Sequence, residues 1–522
     1  MDTNRTTIFI IVLNLLYQCF SGQALASHRL EKLQQFSDYN IDTVSLSSIY
    51  QHPVDYLWLN EQQPSDQAYV ALEFIANSSH HGLNPNHYHY SLLQEIDPTA
   101  AKSKAQLFDF LLTDGLLKLI HDIAVGRLDP TIVDPKWSIP RASFDAAEFL
   151  QHALMVNHFK ASLNALIPAS NQYRQIKAAA VRYQDYVDRG DWNKIPGTPV
   201  LRPGDLHHNV TAIRERLAFE DHSLVPVSSN LSSHYDENLE QAVQQFQRRH
   251  GLKVDGVIGP ETLRAMNVSA AERLQQIKIN LERLRWLPDD LGKRYIMVNL
   301  ANFRLTAFDK DKIKLDMRVI VGKTKRPTPS FASKMTHVVF NPYWNVPRKL
   351  ARLDLLPRQK TNPDYFDHYN IRIFDHKNGK RTEVNPDSID WSSINHRDFP
   401  YTLRQDPGEK NALGRLKFML PNQWAINLHD TPVKSLFNQS KRNFSSGCIR
   451  VEDPLALANF SLSGIYNQQT ISDIFSSNKN HTTILKEPLS VYAVYVTVWL
   501  NENDVMFSPD SYQRDQKMAE YL

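Results

Sequence analysis

The sequence predicts a multidomain α+β protein: a helical scaffold, a small three-helix domain, and a mostly-β domain carrying a lid insertion. Three observations carry that prediction. Apolar residues recur at helical spacing as far as Gly197, and a shorter helical unit with a Gly-rich turn follows. From Arg294 onward the period changes from 3.6 to two.

The first element is not part of the fold. Arg5 precedes an apolar run from Ile8 to Leu16, and Ala24-Leu25-Ala26 offers a small-residue cleavage site. This is the layout of a secretory signal peptide over residues 1–26. The run is too short for a stable membrane span, so cleavage leaves no integral span; an uncleaved anchor is the alternative. Cleavage also removes Cys19, leaving Cys448 as the single thiol. A lone thiol in an exported protein is a hazard or a reagent, because such proteins normally pair their cysteines. A buried small hydrophobe is the bland alternative.

The remaining chain has room for three domains of ordinary size. A formal net charge of +3 across 522 residues excludes nucleic acid as an obvious partner, and 42% hydrophobic residues imply folded domains throughout. Residues 27–200 read as the scaffold. Phe108, Leu111, Leu112, Leu116, Leu119, Ile120 and Ile123 define a helix from Gln106 to Arg127, and Tyr173, Ile176, Ala180 and Tyr183 define one from Asn171 to Val187. His80, His81, His87 and His89 cluster without a carboxylate or thiol and read as a polar helix–helix connection, so no metal is expected.

Pro196-Gly197-Thr198-Pro199 marks a linker. Within the unit at 201–267, Leu239, Val243, Phe246 and Gln247 fit one helix, closed by Gly251. The turn Val254-Asp255-Gly256-Val257-Ile258-Gly259-Pro260 leads into a second helix with Pro260 in its first turn. This F-Q-x-x-x-G-L-x-x-D-G-x-x-G-x-x-T pattern resembles the three-helix peptidoglycan-binding domain of bacterial cell-wall enzymes. Residues 268–290 then return the chain to the scaffold as a helix from Ala270 to Trp286.

Alternation in Tyr295–Leu300, Arg304–Phe308, Leu315–Val321, Thr336–Phe340, Trp424–His429 and Ser490–Leu500 predicts the strands of a β domain over 293–515. Residues 346–413 interrupt it. A segment that long inside a compact domain is a functional lid or is disordered. Tyr365, Phe366, Tyr369, Phe374, Trp391, Phe399 and Tyr401 favour a folded lid, with aromatics available to pack on a ligand.

The chemistry is expected around N-F-S-S-G-C-I-R-V-E-D-P, Asn443 to Pro454. A free thiol holds little thiolate at neutral pH, and a neighbouring imidazole that takes its proton removes the difficulty. His429 ends the strand Ala425-Ile426-Asn427-Leu428-His429. The following loop can bring Cys448-Ile449-Arg450-Val451 alongside it, placing base and nucleophile at two strand ends. Ser445, Ser446 and Gly447 add little bulk, so the N–H groups of Gly447 and Cys448 can approach an oxyanion. Arg450 shares a strand face with Cys448. It can meet a substrate carboxylate, lower the thiol pKa, or form a structural salt bridge with Glu452 or Asp453.

H-D-T…S-S-G-C-I-R resembles the signature of the L,D-transpeptidases with a YkuD-type catalytic domain. The order of scaffold, peptidoglycan-binding domain, β domain with insertion and C-terminal tail is similar to the large periplasmic branch of that family. The resemblance implies Cys448 as nucleophile, His429 as general base and Gly447 in the oxyanion site. It implies Ser446 as a motif position acting through backbone geometry and Arg450 as a substrate-binding residue. Phe340-Asn341-Pro342-Tyr343-Trp344-Asn345-Val346-Pro347 is similar as well, which places Tyr343, Trp344 and Asn345 along the cleft, with Asn427 among the substrate-binding residues. Many members carry His-Gly where this chain has His429-Asp430, leaving a backbone carbonyl as the expected partner of the imidazole. The implied reaction is 3→3 cross-linking of peptidoglycan stems in the periplasm, without cofactor, through an acyl-enzyme that a carbapenem would trap. Implied partners are stem peptides and glycan, with peptidoglycan synthases or carboxypeptidases as neighbours. A cysteine carboxypeptidase or amidase, and a non-catalytic wall-binding protein, are the alternatives.

Overall fold

The computed structural model describes residues 39–50, 56–220, 233–377, 380–462 and 464–522. The expected signal peptide lies outside the described residues. In the scaffold, helices α1 (Thr43–Ile49), α2 (Asp66–Ala76), α3 (Lys102–Val125), α4 (Ala146–Met155) and α5 (Phe159–Ala165) share one apolar core. The central helix α3 buries Leu111, Leu112, Leu116, Leu119, Ile120 and Ile123 completely. The four histidines sit in turns between α2 and α3. His81 Nδ1 lies 3.0 Å from the Tyr173 hydroxyl and His89 Nε2 lies 2.6 Å from Asp114, while His80 and His87 are exposed.

Helix α6 (Asn171–Asp188) packs on a later helix through Tyr173, Ile176 and Tyr183. Between them lies a unit of three helices, α7 (Asn209–Ala218), α8 (Glu237–Arg249) and α9 (Pro260–Met266), with its own core of Val210, Ile213, Leu239, Val243, Phe246, Ile258 and Met266. Gln247 explains the motif in this unit. Its side-chain oxygen accepts from the Asp255 and Gly256 N–H groups (3.0 and 2.9 Å) and its amide donates to the Val257 carbonyl (3.0 Å), so one buried glutamine fixes the Asp-Gly turn. Helix α10 (Ala270–Arg285) is the partner of α6, and a Ser269–Glu272 capping box starts it.

The β domain contains β1 (Arg294–Asn299), β2 (Arg304–Asp309), β3 (Lys312–Gly322), β4 (Phe331–Phe340), β5 (Trp344–Asn345), β6 (Ile371–Lys377), β7 (Lys380–Val384) and β8 (Thr402–Gln405). It continues with β9 (Leu416–Met419), β10 (Leu428–His429), β11 (Asn443–Ser445), β12 (Ile449–Val451), β13 (His481–Val494), β14 (Val498–Asn501) and β15 (Asp504–Phe507). The main sheet runs β11-β3-β12-β10-β9-β4-β13-β1-β2, and β3 also pairs with β2. One face packs on Ile296, Val298, Leu305, Val338, Phe340, Phe418, Leu428, Ile449 and Val491.

Two strand expectations are corrected. Trp424–Asn427 is not strand: the Asn422 side chain accepts from the Trp424 and Ile426 N–H groups (3.1 and 3.0 Å), folding a tight turn with Ala425 at φ 55°. Only Leu428 and His429 pair. Ser490–Leu500 breaks after Val494; the hairpin β14–β15 leaves the sheet and contributes Val498 and Phe507 to the α6–α10 core.

The insertion forms a separate sheet, β5-β8-β6-β7, over a core of Val346, Leu355, Leu356, Phe366, Ile371, Ile373, Phe399 and Leu403. Its aromatics serve that core. Phe366 and Phe399 are almost wholly buried, and Tyr365, Tyr369, Trp391 and Tyr401 pack against it. This corrects the expectation that the set is free to stack on a ligand.

Candidate active site

Strand β10 pairs in parallel with β12, with Leu428 opposite Ile449 and His429 opposite Arg450. On its other side Lys417 of β9 stands opposite His429. Directly opposed residues share a face, so Arg450, His429 and Lys417 form a row across three strands. Cys448, two residues before Arg450, lies one step along that face. The alternate residues Leu416, Phe418, Leu428, Ile449 and Val451 point into the core, so burial of one face fixes the register of the other.

The turn before the thiol is held from several sides. Gly447 adopts φ +126°, and a Cβ there would lie 3.2 Å from Ile426 Cδ1. The Ser445 hydroxyl accepts the Gly447 N–H (3.0 Å) and donates to the Cys448 carbonyl (2.5 Å), and the Thr328 hydroxyl donates to the Gly447 carbonyl (2.8 Å). The Gly447 N–H is therefore spent within the turn. Among the described residues the Cys448 N–H has no such partner beside it. Ser446 accepts from Arg326 Nη1 (3.1 Å), whose guanidinium also binds Asp354 in the insertion (2.5 Å).

His429 is buried, with Nδ1 2.5 Å from the Asp430 carbonyl oxygen. A carbonyl only accepts, so Nδ1 carries the proton and Nε2 keeps its lone pair. Burial pushes the imidazole pKa down to about 4, helped by the Arg450 and Lys417 charges and opposed by Asp430. Burial pushes the Cys448 thiol up, against the Asn427 N–H, Lys417 and Arg450, which favour thiolate. At neutral pH the pair is therefore neutral thiol beside neutral imidazole.

Arg450 makes no ion pair among the described residues. Glu452 is taken by Arg318, at 2.9 Å from Nε, and the Asp453 carboxylate accepts the Ala456 N–H (2.9 Å) at the start of the next helix. The Arg450 Nε has no partner. The Asn427 side chain, expected to bind substrate, bonds to the backbone of its own turn. Its side-chain oxygen accepts the Leu420 N–H and its amide donates to the Ala425 carbonyl, both at 3.1 Å. Tyr343 is exposed beneath the Arg404 guanidinium, 4.5 Å from the ring centroid. Trp344 packs on the insertion core, and Asn345 is exposed and pairs with Arg404 in β8. Lys417, Arg326 and Thr328 carry no signal of their own in the sequence. The alternation Leu416-Lys417-Phe418-Met419 was the available signal for β9.

Fold and site together define a modular protein whose β domain carries a thiol one register step from a buried imidazole. Residues 293–467 match the family described as "L,D-transpeptidase catalytic domain" (YkuD), residues 207–266 match "Putative peptidoglycan binding domain", and residues 45–179 match "Scaffold domain". The chain thus carries a YkuD L,D-transpeptidase catalytic domain, joined to a peptidoglycan-binding domain and a helical scaffold. A curated "Putative L,D-transpeptidase" of Haemophilus influenzae is 38% identical over 245 residues, which is 47% of this chain and 49% of that protein. The match therefore spans about half the length of that relative. Among solved structures, an L,D-transpeptidase (Yku) from Stackebrandtia nassauensis is 11% identical over 57% of this chain and 97% of its own, with TM-score 0.21. An L,D-transpeptidase from Xylanimonas cellulosilytica is 13% identical over 57% of this chain and 99% of its own, with TM-score 0.19. Likenesses of that size carry no argument about the site.

Proposed function

We propose that the protein is a periplasmic L,D-transpeptidase that forms 3→3 cross-links through a Cys448 acyl-enzyme. The observation that supports this is the β10–β12 pairing, which puts Cys448 one register step from an imidazole whose Nδ1 is tied to Asp430, leaving Nε2 uncommitted. Cys448 Sγ attacks the carbonyl of the third residue of a tetrapeptide stem while His429 Nε2 takes the thiol proton. The Cys448 N–H supports the developing oxyanion. Collapse expels the terminal D-alanine, whose amine receives the proton from His429, and a thioester remains. The side-chain amine of a second stem attacks that thioester, gives its proton to His429, and the thiolate leaves and is reprotonated. The peptide bond broken supplies the energy, so neither ATP nor a metal is needed.

The insertion is read as a lid that keeps water from the thioester. It has a core of its own, and the Arg326–Asp354 pair joins it to the loop of Ser446. The unit at 201–267 is read as holding glycan. The test is to incubate the purified protein with disaccharide-tetrapeptide and weigh the products. Dimers lighter by one alanine support transfer, trimmed monomers alone mean a carboxypeptidase, and no turnover with an unreactive thiol means a wall-binding protein. Cys448→Ala should abolish both turnover and the single adduct formed with a carbapenem.

A further inference from the structure

Lys417 has no role in the reading above, yet it stands in the site's central row. The ammonium makes no hydrogen bond or ion pair among the described residues. It is a half-buried cation without a counter-ion among the described residues, and its charge favours the thiolate form of Cys448. Arg450, at the other end of the row, is in the same condition. Three other cations near the site are paired with carboxylates: Arg318 with Glu452, Arg326 with Asp354, and Lys434 with Asp430. Uncompensated charge in a partly dry place destabilises the empty protein. An anionic ligand relieves that cost, and a thiol meant to attack a carbonyl needs the ligand's anion next to the scissile bond.

Resting on the transpeptidase reading, we propose that Lys417 reads the chain end of the donor, binding the free carboxylate of the residue that is expelled. The donor is then a peptide whose α-carboxylate lies one residue past the attacked carbonyl. That carboxylate sits about 4 Å from the reacting carbon, one residue's Cα spacing, within reach of an ammonium that faces the thiol. A longer stem carries its carboxylate one residue too far, and a C-terminal amide carries none. Lys417 is thus a specificity residue that separates tetrapeptide from pentapeptide donors.

The test compares kcat/KM for release of the leaving group, D-alanine from disaccharide-tetrapeptide, D-alaninamide from its C-terminal carboxamide and D-alanyl-D-alanine from disaccharide-pentapeptide. The wild type should favour the free acid about 10- to 100-fold, the range of one charge-assisted hydrogen bond. Lys417→Met should bring the three donors close to parity, and Lys417→Arg should retain most of the preference. Alkylation by iodoacetamide, a neutral reagent, confirms that each variant keeps a folded, accessible thiol. Lys417→Met that slows all donors equally and keeps the wild-type preference overturns the proposal, because the ammonium would then serve the chemistry and not the chain end. A wild type without preference also overturns it. A wild type inactive on every stem overturns the transpeptidase reading itself, which is a separate outcome.

Discussion

The protonation state of the Cys448–His429 pair can be tested without any substrate. An ordinary thiol near pKa 8.5 is about 3% thiolate at pH 7. Burial pushes Cys448 above its usual value, so its thiolate fraction at pH 7 is smaller still, while His429 is depressed to about 4. Protonated imidazole and thiolate therefore do not coexist in the resting protein. Iodoacetamide reacts with thiolate, so the alkylation rate should rise about tenfold per pH unit from 6 to 8, with no plateau in that range. At pH 7 it should lie below that of a free cysteine peptide. Removing one cation from the row should lower it further, since Lys417 and Arg450 both favour thiolate. The assay is intact-protein mass against time across buffers of constant ionic strength. A rate that is flat between pH 5 and 8 would mean a preformed thiolate–imidazolium pair and would refute the reasoning from burial.

Three further outcomes are expected. His429 is depressed from 6.5 to about 4, so between those values the unfolded chain binds the proton that the native protein refuses. Its contribution, of order 3 kcal/mol at one pKa unit per 1.36 kcal/mol, is complete above pH 6.5 and lost as pH falls to 4; denaturant midpoints that fail to drop in this window for wild type relative to His429→Ala would contradict it. Glu220 neutralises the fully buried Arg216 guanidinium (2.7 Å), so Glu220→Ala should cost about 3–5 kcal/mol by leaving that charge unpaired, measured by calorimetry on the unit containing α7–α9. Replacing residues 346–413 with a short Gly-Ser linker should shift products from dimer to hydrolysed tripeptide while Cys448 still alkylates; an unchanged product ratio would remove the lid from the mechanism.

The parts of this fold that the sequence displays are those whose cause is local. A helix such as α3 is written in the 3.6-residue spacing of Leu112, Leu116, Leu119 and Ile123, and Gln247 with Asp255-Gly256 marks the turn it fixes. The thiol and its imidazole were legible for a similar reason: a lone Cys after Ser-Ser-Gly and a His at a strand end are rare together. Lys417 was not, because β9 is only four residues long and a single Lys in an apolar tetrad reads as an exposed edge. Its meaning comes from register with His429, a contact set by tertiary pairing. The partner of the Gly447 N–H is hidden in the sequence for a comparable reason. Gly447 does have the backbone freedom its sequence suggested, but Ser445, two residues earlier, captures its N–H. The insertion's aromatics suggested binding, yet a segment that folds apart from the main core needs large side chains to build its own.

The two ends of the insertion are tied to the two halves of the site. Near its start, Asp354 pairs with Arg326, which also donates to Ser446, two residues before the nucleophile. Just past its end, the Arg415 N–H donates to the Asp430 carboxylate (2.8 Å), and Gly414 at φ +62° packs where any Cβ would lie 2.3 Å from that same carboxylate oxygen. Asp430 is the residue whose carbonyl holds the His429 ring. The Asp that replaces glycine after His429 is therefore accounted for: its side chain fastens the exit of the insertion while its backbone orients the base. A displacement of the insertion would pull on the nucleophile turn through Arg326 and on the imidazole through Asp430. Anchoring of both ends favours motion within the insertion's own sheet over a swing of the whole body.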